Sequence, residues 1–391
     1  MDEQLFKIFD EGAQREGTEC EKWDSRKEVF GRADVIPLWV ADMDFPSPAA
    51  VRDALVERAQ QGVYGYTQSL PRNRQAVAGW MKKRHGAEVQ TDWILSSPGV
   101  VDSLREALKI FTKPGDGVVV QPPVYGPFFR VTEQVGCRIL RNRLINTDEG
   151  WRMDFEDLER HFADGAKAML LCSPHNPTGR VWTQEELQRV VELCNRYHVA
   201  LVCDEIHADF EMPGNHHTSM ITLEGAQRAV VCISATKTFN LAGLRNSSIL
   251  IRDEQVRADM KKQLELDGLA GENLFGMIAQ RAAYEQGEEW LNGLIEYLDG
   301  NMRYVESFIN EHIPEIKLHR PQGTYLMWLD MRALNMNQED LGRFMVEKAG
   351  IGFSGGTGFG EEGTGFMRLN AAIPRRYLVR AMEQLERALH G

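Results

Sequence analysis

The 391-residue chain lacks the features that mark several large classes of protein. It has no apolar run near the roughly 20 residues that cross a bilayer, so no membrane partner is expected. Its start, Met1-Asp-Glu-Gln4, lacks the basic-then-apolar layout of an export signal. Positive charge is in deficit: 45 Lys and Arg against 57 Asp and Glu leave a net −12, which argues against a nucleic-acid partner. Cysteine is sparse. The six residues (Cys20, Cys137, Cys172, Cys194, Cys203, Cys232) form no C-x-x-C pair, and several lie in apolar runs where a thiol behaves as a small hydrophobe. A reduced, cytoplasmic protein is the expectation. There is no internal repeat and no G-x-x-x-x-G-K-[ST] phosphate loop. The glycine-rich stretch Gly355-Gly-Thr-Gly-Phe-Gly360 does not join a clear strand to a helix, so it reads as a turn. His175, His216 and His217 have no metal-ligand spacing, and no metal is expected.

What is present is an alternation. Gly117–Gln121, Ala168–Cys172, Ala200–Cys203, Ala229–Ile233 and Ser248–Ile251 are short, nearly continuous apolar runs, the pattern of strands buried on both faces. Helical patterns lie between them. Thr183 and Glu186 have capping-box spacing ahead of an apolar stripe of Leu187, Val190, Val191 and Cys194. A second helix is predicted from Val100, with Val101, Leu104, Leu108 and Phe111 inward, and Ser47-Pro48 opens a third. Strands alternating with helices predict an α/β domain on a mostly parallel sheet. Residues 1–46 read as an irregular N-terminal arm, 47–290 as a large domain and 291–391 as a small C-terminal domain. The last of these has strand-like runs at Gly323–Leu329 and Phe366–Asn370 and a final helix carrying Leu378, Met382, Leu385 and Leu389.

Three segments carry chemistry: Ser234-Ala-Thr-Lys237 with Arg245 eight residues on, Ser173-Pro-His-Asn176-Pro177-Thr-Gly179, and Val202-Cys-Asp204-Glu-Ile-His207. Together they hold what pyridoxal 5′-phosphate (PLP) needs: an amine for its aldehyde, a carboxylate for its ring nitrogen, a donor for its phenolic oxygen, and hydroxyls and a cation for its phosphate. Lys237 closely follows a predicted buried strand, which places it at the strand's C-terminal edge, where open α/β sheets bind ligands. Asp204 ends another strand; it is either a helix N-cap or the carboxylate beneath the ring nitrogen. Asn176 is either a turn residue or the donor to the phenolic oxygen. Ser234, Thr236 and Arg245 are candidates for the phosphate, with the backbone N–H groups of Gly99, Val100 and Val101 at a helix start. Tyr125 is a candidate to stack on the ring, or a core aromatic. Arg368 lies in an apolar run, an expensive place for an unpaired cation, and suits bidentate capture of a substrate carboxylate; the alternative is a buried salt bridge. Trp39, Val40, Ala41, Tyr125 and Trp328 are candidates to line the substrate pocket, with Asn176 also facing substrate.

The chain resembles the fold-type-I PLP enzymes of the class I/II aminotransferase superfamily. Asn176-Pro-Thr-Gly179, Asp204, Ser234-x-x-Lys237, Arg245 and Arg368 carry that likeness over nearly the whole length. Within it the chain is most similar to C–S β-lyases of the cystathionine β-lyase MalY/PatB type, through Trp39–Phe45, Tyr64-Gly-Tyr66-Thr67, Pro122-Pro-Val-Tyr125, Asp204–Asp209 and Arg368–Ala372. The resemblance implies a large domain with a mostly parallel seven-stranded sheet flanked by helices and a small α+β C-terminal domain. It also implies a homodimer in which Tyr64 reaches the partner's phosphate, and Tyr125 as the stacking residue. His207 stands where many aminotransferases have tyrosine, which agrees with the lyases; it faces either the phenolic oxygen or Asp204. The implied reaction is β-elimination on L-cystathionine or a related L-cysteine S-conjugate, with Lys237 as the base. An aminotransferase shares this constellation, and a PLP-containing regulatory binding protein is a further alternative.

Overall fold

The computed structural model describes residues 3–68 and 70–391. Seven strands form the central sheet, in the order Ile94–Ser97, Ser247–Leu250, Val230–Ile233, Ala200–Asp204, Ala168–Cys172, Gly117–Val120, Arg138–Arg141. Neighbours pair in parallel except for Ser247–Leu250, which runs antiparallel to both its neighbours. The five apolar runs are the five inner strands, each within a residue or two of its expected bounds. The two edge strands were not expected. Ile94–Ser97 and Arg138–Arg141 carry serines and arginines because an edge strand need not be apolar throughout.

Strand residues alternate between two cores, as a period of two requires. Val119, Leu171, Cys203 and Val231 face one, shared with the Gln184–Tyr197 helix; Val118, Val120, Leu170, Val202 and Cys232 face the other, shared with the Val100–Phe111 helix. The capping box forms: Thr183 N donates to Glu186 Oε2 at 2.8 Å, and Glu186 N to Thr183 Oγ1 at 3.2 Å. In the Val100–Phe111 helix, Leu104 and Leu108 are buried as expected, while Val101 is only half-buried. The helix after Ser47 is Ala49–Gln60, with Pro48 as its N-cap and not inside it.

The C-terminal part has a four-stranded antiparallel sheet, ordered Lys317–Leu318, Leu326–Asp330, Phe366–Asn370, Ser354–Gly355, and ends in the helix Arg375–His390. The helix Glu288–His312 runs through position 290, so a division of the chain there passes through its first turn. The N-terminal arm is tied to this end of the chain. Ile36–Pro37 pairs in parallel with Ile351–Gly352, and Phe9 packs edge-on against Phe45 and Trp290. The glycine-rich stretch forms a tight turn: a Cβ on Gly356 would lie 1.9 Å from the Gly363 carbonyl oxygen, so only glycine fits. The same turn reaches the Tyr125 loop, where Val124 N donates to Phe359 O at 2.9 Å.

Candidate active site

The C-terminal ends of the Ala168–Cys172, Ala200–Asp204 and Val230–Ile233 strands open on one cavity. After Ile233 the chain turns at Ser234, whose Oγ accepts from Thr236 N at 3.1 Å and donates to Asn246 O at 2.7 Å. That cap starts the four-residue helix Ala235–Thr238 and sends Lys237 into the cavity. Its Nζ donates to the Ala41 carbonyl at 2.6 Å. Burial and the Arg368 charge hold the amine down to about 8, against an upward pull from Asp42 and Asp204. Asp204 is buried at the end of its strand, and its Oδ1 accepts from Ile206 N at 3.0 Å. Burial pushes its carboxyl up to about 7, limited by that N–H and by Lys237. No ion pair joins Asp204 to a cation among the described residues.

The cavity wall also includes Gly99, Val100, Val101, Tyr125, Asn176, His207, Thr236, Arg245 and Ala41. Gly99 is the N-cap of the twelve-residue Val100–Phe111 helix, whose first N–H groups have no partner within the helix. Arg245, in the left-handed region at φ +43°, is exposed at the rim, with Nη2 3.3 Å from Asp102 Oδ2. Tyr125 N donates to Asn176 O at 3.0 Å, which joins two walls of the cavity. The Pro122–Pro123, Ser173–Pro174 and Asn176–Pro177 bonds are cis. The His207 ring packs edge-on against Tyr325, its Nδ1 is buried without a hydrogen-bond partner, and burial holds it well below the usual imidazole range.

Arg368 adjoins this cavity. Its Nη1 donates to Asn176 Oδ1 at 3.2 Å, and its Nη2 donates to Trp39 O at 2.8 Å and Ser354 Oγ at 3.2 Å. The guanidinium lies over the Phe359 ring, 4.9 Å from its centroid, and Nε is buried without a partner. Burial lowers the group to about 10. No carboxylate pairs with it among the described residues, so the buried salt bridge weighed from sequence is absent.

Ser234 supports the Lys237 turn but does not line the cavity. Val40 offers a carbonyl, which accepts from Asn370 Nδ2 at 2.6 Å. The Trp39 ring packs edge-on against Phe30, so its contribution is likewise a carbonyl, and Trp328 stacks on Phe366 in the small sheet instead of facing the cavity. Tyr64 lies apart: it is 61% exposed, and its hydroxyl donates to Ala59 O at 2.8 Å.

Three residues that sequence reasoning passed over shape the site. Asn240, left-handed at φ +58°, clamps the arm to the Lys237 turn by accepting from Met43 N and donating to the carbonyls of Met43 and Phe45. Asn370 Nδ2 holds the carbonyls of Val40 and Asp42, each at 2.6 Å. Tyr325 shares the Ala41 carbonyl with Lys237, donating at 2.9 Å. An asparagine three residues past a lysine-bearing turn was the one available signal; Tyr325 and Asn370 were hidden in strand-like runs.

Comparison with known proteins agrees with this geometry. The profile of the family described as aminotransferase class I and II matches residues 33–385. The chain is 42% identical over 384 residues to cystathionine beta-lyase PatB of Bacillus subtilis, covering 97% of this chain and 99% of that one. The structure of cystalysin from Treponema denticola, which contains a pyridoxal 5′-phosphate cofactor, superposes with a TM-score of 0.94 at 36% identity, over 97% of both chains. The PLP-bound C–S lyase of Staphylococcus hominis gives 0.90 at 30% identity over 98% of both.

Proposed function

The chain belongs to the class I and II aminotransferase family, and on that premise we propose that it is a PLP-dependent carbon–sulfur β-lyase. Its proposed net reaction splits L-cystathionine or a related L-cysteine S-conjugate with one water into a thiol (homocysteine from cystathionine), pyruvate and ammonia. The observation that carries this reading is a buried amine of lowered pKa and a buried carboxylate without a cation partner on one cavity, beside an arginine without a carboxylate. PatB and the Staphylococcus hominis enzyme support the choice of C–S cleavage over amino transfer.

The residues present fit the cofactor. Asp204, its carboxyl pushed up to about 7 by burial, would hold the ring nitrogen, whose protonated form would favour the ionised carboxylate. The helix start at Gly99–Val101, Thr236 and Arg245 gather donors and positive charge for a phosphate, and the Ser234 hydroxyl fixes Thr236 beside it, 2.7 Å between the two oxygens. Tyr125 would hold the ring, and Asn176 and His207 on the same cavity wall would serve its phenolic oxygen. When bound, PLP supplies an electron sink for the pair left on the substrate Cα. Arg368 holds the substrate carboxylate, and Asn176 fixes one end of that guanidinium. Lys237 Nζ takes the Cα proton, at a pKa near 8 that suits a base at neutral to mildly alkaline pH. Ala41, which lines the cavity, flanks the substrate side chain.

We also propose a cytoplasmic homodimer with shared sites. Val63, Tyr64, Tyr66 and Leu70 are exposed together near the Ala49–Gln60 helix, and Tyr64 contributes nothing to its own chain's cavity. Among the described residues no helix is long and apolar enough to cross a membrane.

The deciding assay supplies L-cystathionine without any keto acid. Pyruvate and free thiol in equal amounts are expected; keto-acid-dependent amino transfer with no pyruvate would replace the lyase by an aminotransferase. A second expectation concerns pH. Covalent capture of PLP by apoprotein, trapped with borohydride and read by mass, should quicken about tenfold per pH unit below 8 and level off above it, because only the neutral amine attacks. A rise continuing to pH 10 would mean that the amine keeps its ordinary lysine pKa.

A further inference from the structure

Behind the Lys237 turn lies a buried polar cluster that the reaction does not use. Asp209 is its centre and is 5% exposed. Its Oδ2 accepts from Thr238 Oγ1 at 2.6 Å. Its Oδ1 accepts from Trp80 Nε1 at 2.9 Å and lies 2.8 Å from His85 Nε2. Every one of these side chains is buried, so the arrangement is not a surface ion pair softened by water.

The charges are matched. His85 is the last residue of the Pro71–His85 helix, where the helix dipole favours a cation. Burial opposes its charge, but Asp209 outweighs burial and raises His85 above the usual imidazole range, helped by Glu211 and Glu205. Asp209 is correspondingly held below the usual carboxylate range despite its burial. The His217 ring stands edge-on to His85, 5.6 Å between centroids, and its Nε2 is 3.3 Å from Glu205 Oε2.

The placement along the chain gives the cluster its purpose. Asp209 lies five residues after Asp204, and Thr238 directly follows Lys237. One short segment thus presents the carboxylate for the ring nitrogen at one end and grips the turn bearing the amine at the other. Trp80, stacked on Tyr284 at 5.2 Å and edge-on to Phe239, fixes the cluster in the main core. We propose that Asp209, fixed by His85 and Trp80, is a positioning residue that sets where Lys237 stands relative to Asp204, acting through the Thr238 hydroxyl. The inference rests on Lys237 being the amine that takes PLP.

The test compares Thr238→Val, which removes only the hydroxyl's donor, with Thr238→Ser, which keeps it. In Thr238→Val apoprotein, capture of PLP at Lys237 is expected to slow at least about tenfold, and kcat on L-cystathionine to fall similarly with KM within about twofold, since small displacements of a reacting group are felt mainly in rate. Thr238→Ser should restore both. Asp209→Asn should slow capture in the same way; if that protein fails to fold, the threonine pair still decides. Capture by Thr238→Val at the wild-type rate, or Thr238→Ser as slow as Thr238→Val, would overturn the proposal. Wild-type protein that fails to take PLP at Lys237 would instead remove the functional reading beneath it.

Discussion

Lys237→Ala protein is expected to release pyruvate from L-cystathionine at least about a thousandfold more slowly than wild type, with no borohydride-trapped adduct at position 237. Two contributions vanish at once. A positioned general base is worth about 10²- to 10⁴-fold, and the covalent anchor for the aldehyde goes with it. Neighbouring groups are poor substitutes: the Tyr325 hydroxyl is pushed far up by burial, and His207 carries an imidazole driven down by burial and by the Lys237 and Arg368 charges. The fold should survive, because Nζ makes one hydrogen bond, to Ala41 O, and Tyr325 keeps that carbonyl satisfied. Activity within tenfold of wild type would remove Lys237 from the reaction.

The second large effect is expected at Arg368. In Arg368→Met, kcat/KM for L-cystathionine should fall about 10²- to 10⁴-fold, because the substrate carboxylate would enter a buried site with no cation; breaking a buried ion pair from one side costs about 3–5 kcal/mol. Melting temperature separates this reading from a purely structural one. The Arg368 guanidinium has no carboxylate partner, one orphaned nitrogen, and a pKa pulled down to about 10 by burial. A methionine of similar length removes a desolvated charge, which offsets the donors lost to Trp39 O, Asn176 Oδ1 and Ser354 Oγ, so the melting temperature should fall only modestly. A marked drop in melting temperature with kcat/KM preserved would return Arg368 to a structural post.

How much of this was legible depends on where the information lies. Lys237, Asp204 and Asn176 follow apolar strands that end where the sheet's ligand edge begins, so chain position and residue type both pointed to them. The inner strands were legible because burial on both faces demands continuous apolar side chains. The edge strands were not, since Ser96, Ser97, Arg138 and Arg141 satisfy an edge as easily as a loop. The arm was the least readable part. Trp39 and Val40 act through carbonyl oxygens, which every residue has, so no side chain announces them. Asn370 and Asp209 fall inside segments that carry the family likeness, but their roles were silent: each joins segments more than a hundred residues apart, and nothing local distinguishes a clamp from a solvated polar residue.

The grip on that arm has an evolutionary consequence. Because Arg368, Asn370, Lys237 and Tyr325 hold it by the main chain from Trp39 to Asp42, the side chains of Val40 and Ala41 can be exchanged without loosening the hold. On the function proposed above, drift at Ala41, which lines the cavity, would retune which leaving groups are accepted while the machinery behind it stays untouched, and a library at that position is the natural starting point for redirecting the enzyme to other sulfur conjugates.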